Sequence, residues 1–299
     1  KNEQILWQGW TRDCSIFCLV NSGTLTGLQH IGYAKHFELK PFLLTGVSQE
    51  KDQSATFPGK VGGDLNINLT PTLKMNLTAN TDFAQVEADR VAANLTRFNL
   101  YYPEKREFFL EGYQNYRFNL GSSNEVFYTG KIGIENFEQV PVTVGARVVG
   151  KVGRNNIGVL NIQTGQNGTT PATNNSVIRY RRDIGAQSYI GAIVTSKNNS
   201  TISNQVAGID AGYSTATFLK NKNLVVSGFV SKSFDKGNNG ADNTYSWRFF
   251  IDYPNDLIDH FIAIGSIQNK YNPELGFLER KNFDNLTWNM RYNPRWFTK

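Results

Sequence analysis

The sequence predicts an all-β protein, an antiparallel outer-membrane β-barrel with an irregular insert in or at its lumen. Three observations carry that expectation. Most of the chain alternates apolar and polar residues with the two-residue period of a strand. Short turns alternate with long Asn/Gly/Thr-rich loops, the layout of a barrel with short turns on one side and longer loops on the other. One stretch, residues 82–112 (DFAQVEADRVAANLTRFNLYYPEKREFFLEG), breaks the alternation and concentrates charge and aromatic rings.

Composition narrows the class. Among 299 residues 19% are charged and 13% aromatic, with 27 glycines, too aromatic and too regularly patterned for a disordered chain. The net charge of +6 is spread along the chain, so no basic run points to nucleic acid. No apolar run approaches the roughly 18 residues of a spanning helix, whereas a spanning strand needs only about 9–11 alternating residues. Cys14 and Cys18 are four apart with no second Cys or His pair to complete a zinc site; they read as two small half-buried thiols. The chain opens on Lys1 without a basic-plus-apolar leader, as expected of a mature or truncated product whose export signal, if any, lies upstream.

Taken in order, residues 1–36 read as a linker leading into the main domain, 37–299 as barrel strands, and 82–118 as the insert set among them. The clearest hairpin is 64–80. Leu65, Ile67 and Leu69 share one face and Asp64, Asn66 and Asn68 the other; after the Pro71-Thr72 turn, Leu73, Met75, Leu77 and Ala79 oppose Lys74, Asn76, Thr78 and Asn80. In VPVTVGARVVGKV, Val142, Val144, Ala146, Val148 and Val152 fall on one face, with Thr143, Arg147 and Lys151 on the other. In TYSWRFFIDY, Tyr245, Trp247, Phe249, Ile251 and Tyr253 oppose Ser246, Arg248 and Asp252, with rings near both ends as at two membrane interfaces. Lys74, Arg147, Lys151, Arg248 and Asp252 are thus expected to face a wet lumen. Further strands are expected near 125–134, 156–165, 176–184, 187–197, 204–216, 224–234, 258–269 and 284–293, about thirteen in all, where single-chain barrels usually close on an even number. An incomplete part of a larger barrel fits that count.

No catalytic motif is present, and His30, His36 and His260 lack a carboxylate at motif spacing. The N-x-S/T triplets at Asn68, Asn76 and Asn94 read as lumen-facing polar residues. The insert sets Asp82, Glu87, Asp89, Glu104, Glu107 and Glu111 beside Arg90, Arg97, Lys105 and Arg106. Charges leaving water need partners, so this reads as a self-satisfied network, with Phe98, Tyr101, Tyr102, Phe108 and Phe109 packing it against the barrel wall. No metal is assigned; Asp82, Glu87 and Asp89 are the candidate ligands for a calcium ion, on a spacing that fits no defined loop. The alternative function is a surface glycan-binding or glycan-hydrolysing protein resting on Glu104, Glu111 or Asp89.

DFAQVEAD, NLTRF and YPEKREFFLEG, with KNEQILW, SGTLTGL, GARVVGKVG, SVIRYRRDIG and YNPELGFLER following the same order, resemble an uncharacterised family of Bacteroidota outer-membrane proteins. In that family a periplasmic domain resembling a family 9 carbohydrate-binding module precedes a C-terminal barrel. The resemblance implies a non-enzymatic barrel of the bacterial outer membrane, a channel, transport component or envelope scaffold. Its implied partners are outer-membrane lipid, other envelope proteins and a glycan held by the upstream domain. It implies no cofactor and no transferable activity.

Overall fold

A computed structural model of the chain describes residues 26–27, 36–47, 49, 54–55, 57, 59–81, 98, 100–121, 124–135, 138–236 and 242–294. The chain divides into two units, Lys1–Ala34 and Lys35–Lys299, and every strand among the described residues lies in the second. No helix among the described residues is long and apolar enough to cross a membrane, which leaves strands untouched as a means of crossing.

Twelve strands form one antiparallel sheet in chain order: β1 Phe37–Thr45, β2 Gly59–Thr70, β3 Leu73–Ala79, β4 Val142–Val152, β5 Asn155–Thr164, β6 Asn174–Ile184, β7 Ser188–Asn198, β8 Ser203–Phe218, β9 Lys222–Asp235, β10 Tyr245–Pro254, β11 Ile258–Ile267 and β12 Phe283–Tyr292. The sheet is open, with β1 and β12 at its edges. Pro41 sits in β1, where an edge strand tolerates the missing N–H. Tight turns at 71–72, 153–154, 185–187, 219–221 and 255–257 gather at one end of the sheet. The longer connections, including 80–141 and 268–282, leave from the other.

The expected hairpin forms in the expected register, with Leu65 opposite Leu77 and Asn66 opposite Asn76. Asp64 and Thr78 on its polar face join through a hydrogen bond of 2.5 Å. Two readings are corrected. The 125–134 segment is absent from the sheet; it carries a 3-10 turn, Thr129–Lys131, and two-residue ladders, so the insert runs on past residue 118 to the start of β4. Val142 leaves the face it was expected to share with Val144, because a register shift between these two residues turns it over. Val142 is 2% exposed and Val144 53%, the re-aiming a β-bulge produces.

One face of the sheet is covered and the other bare. On the covered face Val149, Leu160, Ile162, Val177, Ile193 and Val206 meet Phe109, Tyr116, Phe118, Val126, Phe127 and Ile132 of the insert, and Tyr271 and Leu275 of the 268–282 loop, in one core. Glycine is needed where the insert comes closest. A Cβ on Gly158 would lie 2.9 Å from both the Asn115 carbonyl and the Tyr116 ring. Gly158→Val is therefore expected to cost about 1–3 kcal/mol, read as faster proteolysis of the insert while the β-sheet circular dichroism persists.

The bare face is apolar along a belt that crosses the hydrogen-bonded rows obliquely. The row Leu39, Leu65, Leu77, Ala146 is apolar in β1 to β4, then continues as Asn161, Ser176, Ser196 and Gln205 in β5 to β8. Nearer the short turns, the row Tyr213, Val226, Ile251, Ile262, Trp288 is apolar in β8 to β12. The belt thus steps toward the short-turn end from β1 to β12. A belt of constant height that slips along the register requires strands tilted to its plane.

Candidate functional site

The described part of the insert begins at residue 98 and is pinned at three points. The first is built by YPEKREFFLEG. Pro103 precedes a single helical turn, Glu107–Leu110, which ends at Glu111; Gly112 follows with φ +73°, a backbone that favours glycine. A Cβ there would also strike Val149 at 2.7 Å. This turn is held by Arg147, which is 2% exposed. Its Nη1 donates to the Phe108 carbonyl and, at 2.7 Å, to the Glu111 carbonyl. Nη2 donates to Glu111 Oε2 and Asn76 Oδ1, both at 2.8 Å, and Nε to Asn76 Oδ1 at 3.0 Å. Asn76 donates to Asn66 and Asn66 to Glu38, so polar side chains of four neighbouring strands end on the insert's backbone. Lys74 donates to the other oxygen of Glu111. Burial works against the Glu111 charge, but Lys74 and Arg147 outweigh it and hold its pKa below the usual carboxylate value.

The second point is Arg106. It forks onto both oxygens of Glu104 at 2.8 and 2.6 Å and donates to the carbonyls of Ile132 at 2.6 Å and Thr129 at 2.7 Å, tying the start of the insert to its end. Its guanidinium lies 4.2 Å over the Phe109 ring, within cation–π range. Burial raises the Glu104 pKa, and the Arg106 hydrogen bonds and charge more than reverse this, leaving it lowered. A depressed carboxyl pKa adds stability that is present above the unfolded value of about 4.3 and is lost as pH falls through the folded one. Hydrogen-exchange protection across 103–112, taken relative to the intrinsic exchange rate, is expected to hold above the unfolded carboxyl pKa of about 4.3 and to fall as pH drops below it. Glu104→Gln is expected to flatten that acid limb.

The third point is the 268–282 loop. Glu125 and Phe277 exchange backbone hydrogen bonds at 2.9 Å, Tyr128 N–H donates to the Leu275 carbonyl at 2.7 Å, and Glu279 N–H donates to Asn124 Oδ1 at 2.7 Å. Tyr113 donates its hydroxyl to Glu125. Burial raises the pKa of both groups.

The sequence expectations sort accordingly. Glu111, Lys74 and Arg147 come together in one ion-pair cluster and Glu104 with Arg106 in a second. Lys105 is part-buried beside the second, its backbone N–H on Glu104 Oε1 at 3.0 Å. Lys151 and Arg248 lie on the covered face but belong to a separate chamber below the insert, and Asp252 lies further toward the short turns of that face. Asp82, Glu87, Asp89, Arg90 and Arg97 fall outside the described residues, as do the calcium ligands among them and Cys14 and Cys18. Among the described residues no group of three His, Cys, Asp or Glu is placed to hold a metal.

Sequence reasoning missed the chamber's bidentate pair, Arg179 with Asp210 at 2.7 Å through both oxygens. The alternation of Val177, Arg179 and Arg181 in SVIRYRRDIG was the signal that could have placed Arg179 there.

These features define an all-β protein built on an open twelve-stranded antiparallel sheet with an insert packed on one face. Residues 36–156 match a domain of unknown function, DUF5916. The matched region spans β1 to the start of β5, and so includes the described part of the insert and its anchor Arg147. No curated protein and no solved structure matches the chain.

Proposed function

We propose that the sheet is wall of a β-barrel in a bacterial outer membrane, of the Bacteroidota type that the sequence resembles, and that the insert with the 268–282 loop braces its lumen. The protein then acts as a non-enzymatic channel or transport component, or as a scaffold for other envelope proteins, with glycan contact left to an upstream domain. The observation that carries this reading is the oblique apolar belt. Large apolar side chains stand exposed on the bare face from Leu39 and Leu43 to Trp288 and Tyr292, far beyond the few hundred Å² of apolar patch a soluble monomer exposes. Tyr245 and Trp247 at its long-loop rim, and Tyr213, Tyr253 and Tyr292 at its short-turn rim, supply ring girdles suited to two interfaces. The open edges β1 and β12 belong, in this reading, to a wall that is larger than the twelve strands.

Glu104 and Glu111, the carboxylates a glycan hydrolase would use, are each engaged by cations, and this favours the brace. The test is fractionation and electrophoresis of the full-length protein. Recovery in the outer-membrane fraction, with migration in detergent gels that shifts on boiling, is the expected outcome. A monodisperse protein without detergent or lipid would overturn the proposal.

A further inference from the structure

Below the insert, toward the short turns, the covered face lines a half-open chamber of about 720 Å³. Five cations and two carboxylates line it, a formal excess of three positive charges. The carboxylates are already committed. Asp210 takes the fork of Arg179, and Asp183 is shared by Lys151 at 2.7 Å and Arg181 at 3.5 Å. Arg117, on the insert, reaches a side-chain acceptor at Gln114 Oε1 at 3.5 Å, the long limit of a hydrogen bond. Arg248 lies 5.6 Å from the Phe250 ring and, among the described residues, has no carboxylate in ion-pair range. Arg181 rests 4.1 Å over the Tyr189 ring, which orients its fork.

Guanidinium groups collected on the wall of a cleft focus positive potential. Their planar forks match the oxygens of phosphate and carboxylate groups in a way lysine does not. The rings of Phe118, Phe229 and Phe250 give the remaining wall an apolar surface. We propose that this chamber is a binding site for a small oxyanion of the phosphate class, taken between Arg117 of the insert and Arg181 and Arg248 of the sheet. The proposal rests on the covered face and holds whatever medium the bare face meets. Where the wall encloses a passage, the same residues bias it toward anions.

The test is calorimetric titration of the full chain with inorganic pyrophosphate and, separately, inorganic phosphate at low ionic strength, with maltose as the neutral comparison. Saturable pyrophosphate binding displaced by sulfate is expected, with maltose silent. The double variant R117Q/R248Q is expected to bind at least about tenfold more weakly, and R117K/R248K to fall between. Absence of saturable pyrophosphate binding, or equal affinity in R117Q/R248Q, overturns the proposal. Should R117Q/R248Q not fold, Ser227→Glu places a negative charge on the chamber wall while leaving every arginine; it is expected to abolish binding, and unchanged binding in that variant is equally contradictory.

Discussion

Ile209→Arg is expected to obstruct folding into lipid by about 2–4 kcal/mol, while Gln205→Arg, four residues away on the same strand and face, costs about 0–1 kcal/mol. Ile209 stands 60% exposed in the middle of the bare apolar belt. Gln205 belongs to the polar rim, its amide donating to Asn198 Oδ1 at 3.2 Å. A sheet whose bare face met water would treat both as surface substitutions within about 0.5 kcal/mol of neutral. The contrast between the two is therefore the informative quantity, read as folded yield against urea in vesicles.

Arg147→Met is expected to destabilise the protein by about 3–5 kcal/mol. Methionine keeps the stem on the Phe108 ring, which the guanidinium approaches at 4.8 Å, but removes every donor. The Phe108 and Glu111 carbonyls and the Asn76 oxygen then lose partners in a site closed to water. The Glu111 carboxylate, 41% exposed, can recover solvent and contributes little of the loss. Lys74→Met, which breaks an exposed pair to the same carboxylate, is expected to cost no more than about 1 kcal/mol. Denaturant midpoints of the two variants check this; equal shifts would mean that Arg147 does not anchor the insert.

Much of the sheet was legible in the sequence because a half-buried strand writes its two faces into alternate residues. The 64–80 hairpin, the Tyr245–Pro254 strand and the grouping of short turns at one end all follow from that period. The same rule misplaced VFYTGKIGI at 126–134. A short apolar run has no period to separate a strand from an irregular buried segment, and here Val126, Phe127 and Ile132 fill the core from outside the sheet. The bulge at Val142 defeated a simple count of alternate residues for a related reason, since one extra residue inverts everything before it.

The insert's share of its anchoring contacts was legible as a concentration of charge that includes Glu104, Arg106 and Glu111, whereas Lys74 and Arg147 read only as lumen-facing strand residues. The geometry of these contacts was not legible. Two of the five hydrogen bonds that Arg147 donates go to the backbone carbonyls of Phe108 and Glu111, which carry no side-chain signature. Arg179 meets Asp210 only through the register of three strands, a long-range fact that local pattern does not contain.

Site-directed spin labelling along β8 tests the membrane reading most directly. On a Cys14→Ser/Cys18→Ser background, single cysteines at positions 207 to 213 would be labelled in lipid, and collisions with oxygen and with a water-soluble nickel complex measured. High oxygen access at 207, 209, 211 and 213, alternating with low access at 208, 210 and 212, is expected from a bare face in hydrocarbon and a covered face under the insert. Nickel access at 209 and 211 equal to that of a water-exposed turn would contradict a membrane-facing wall.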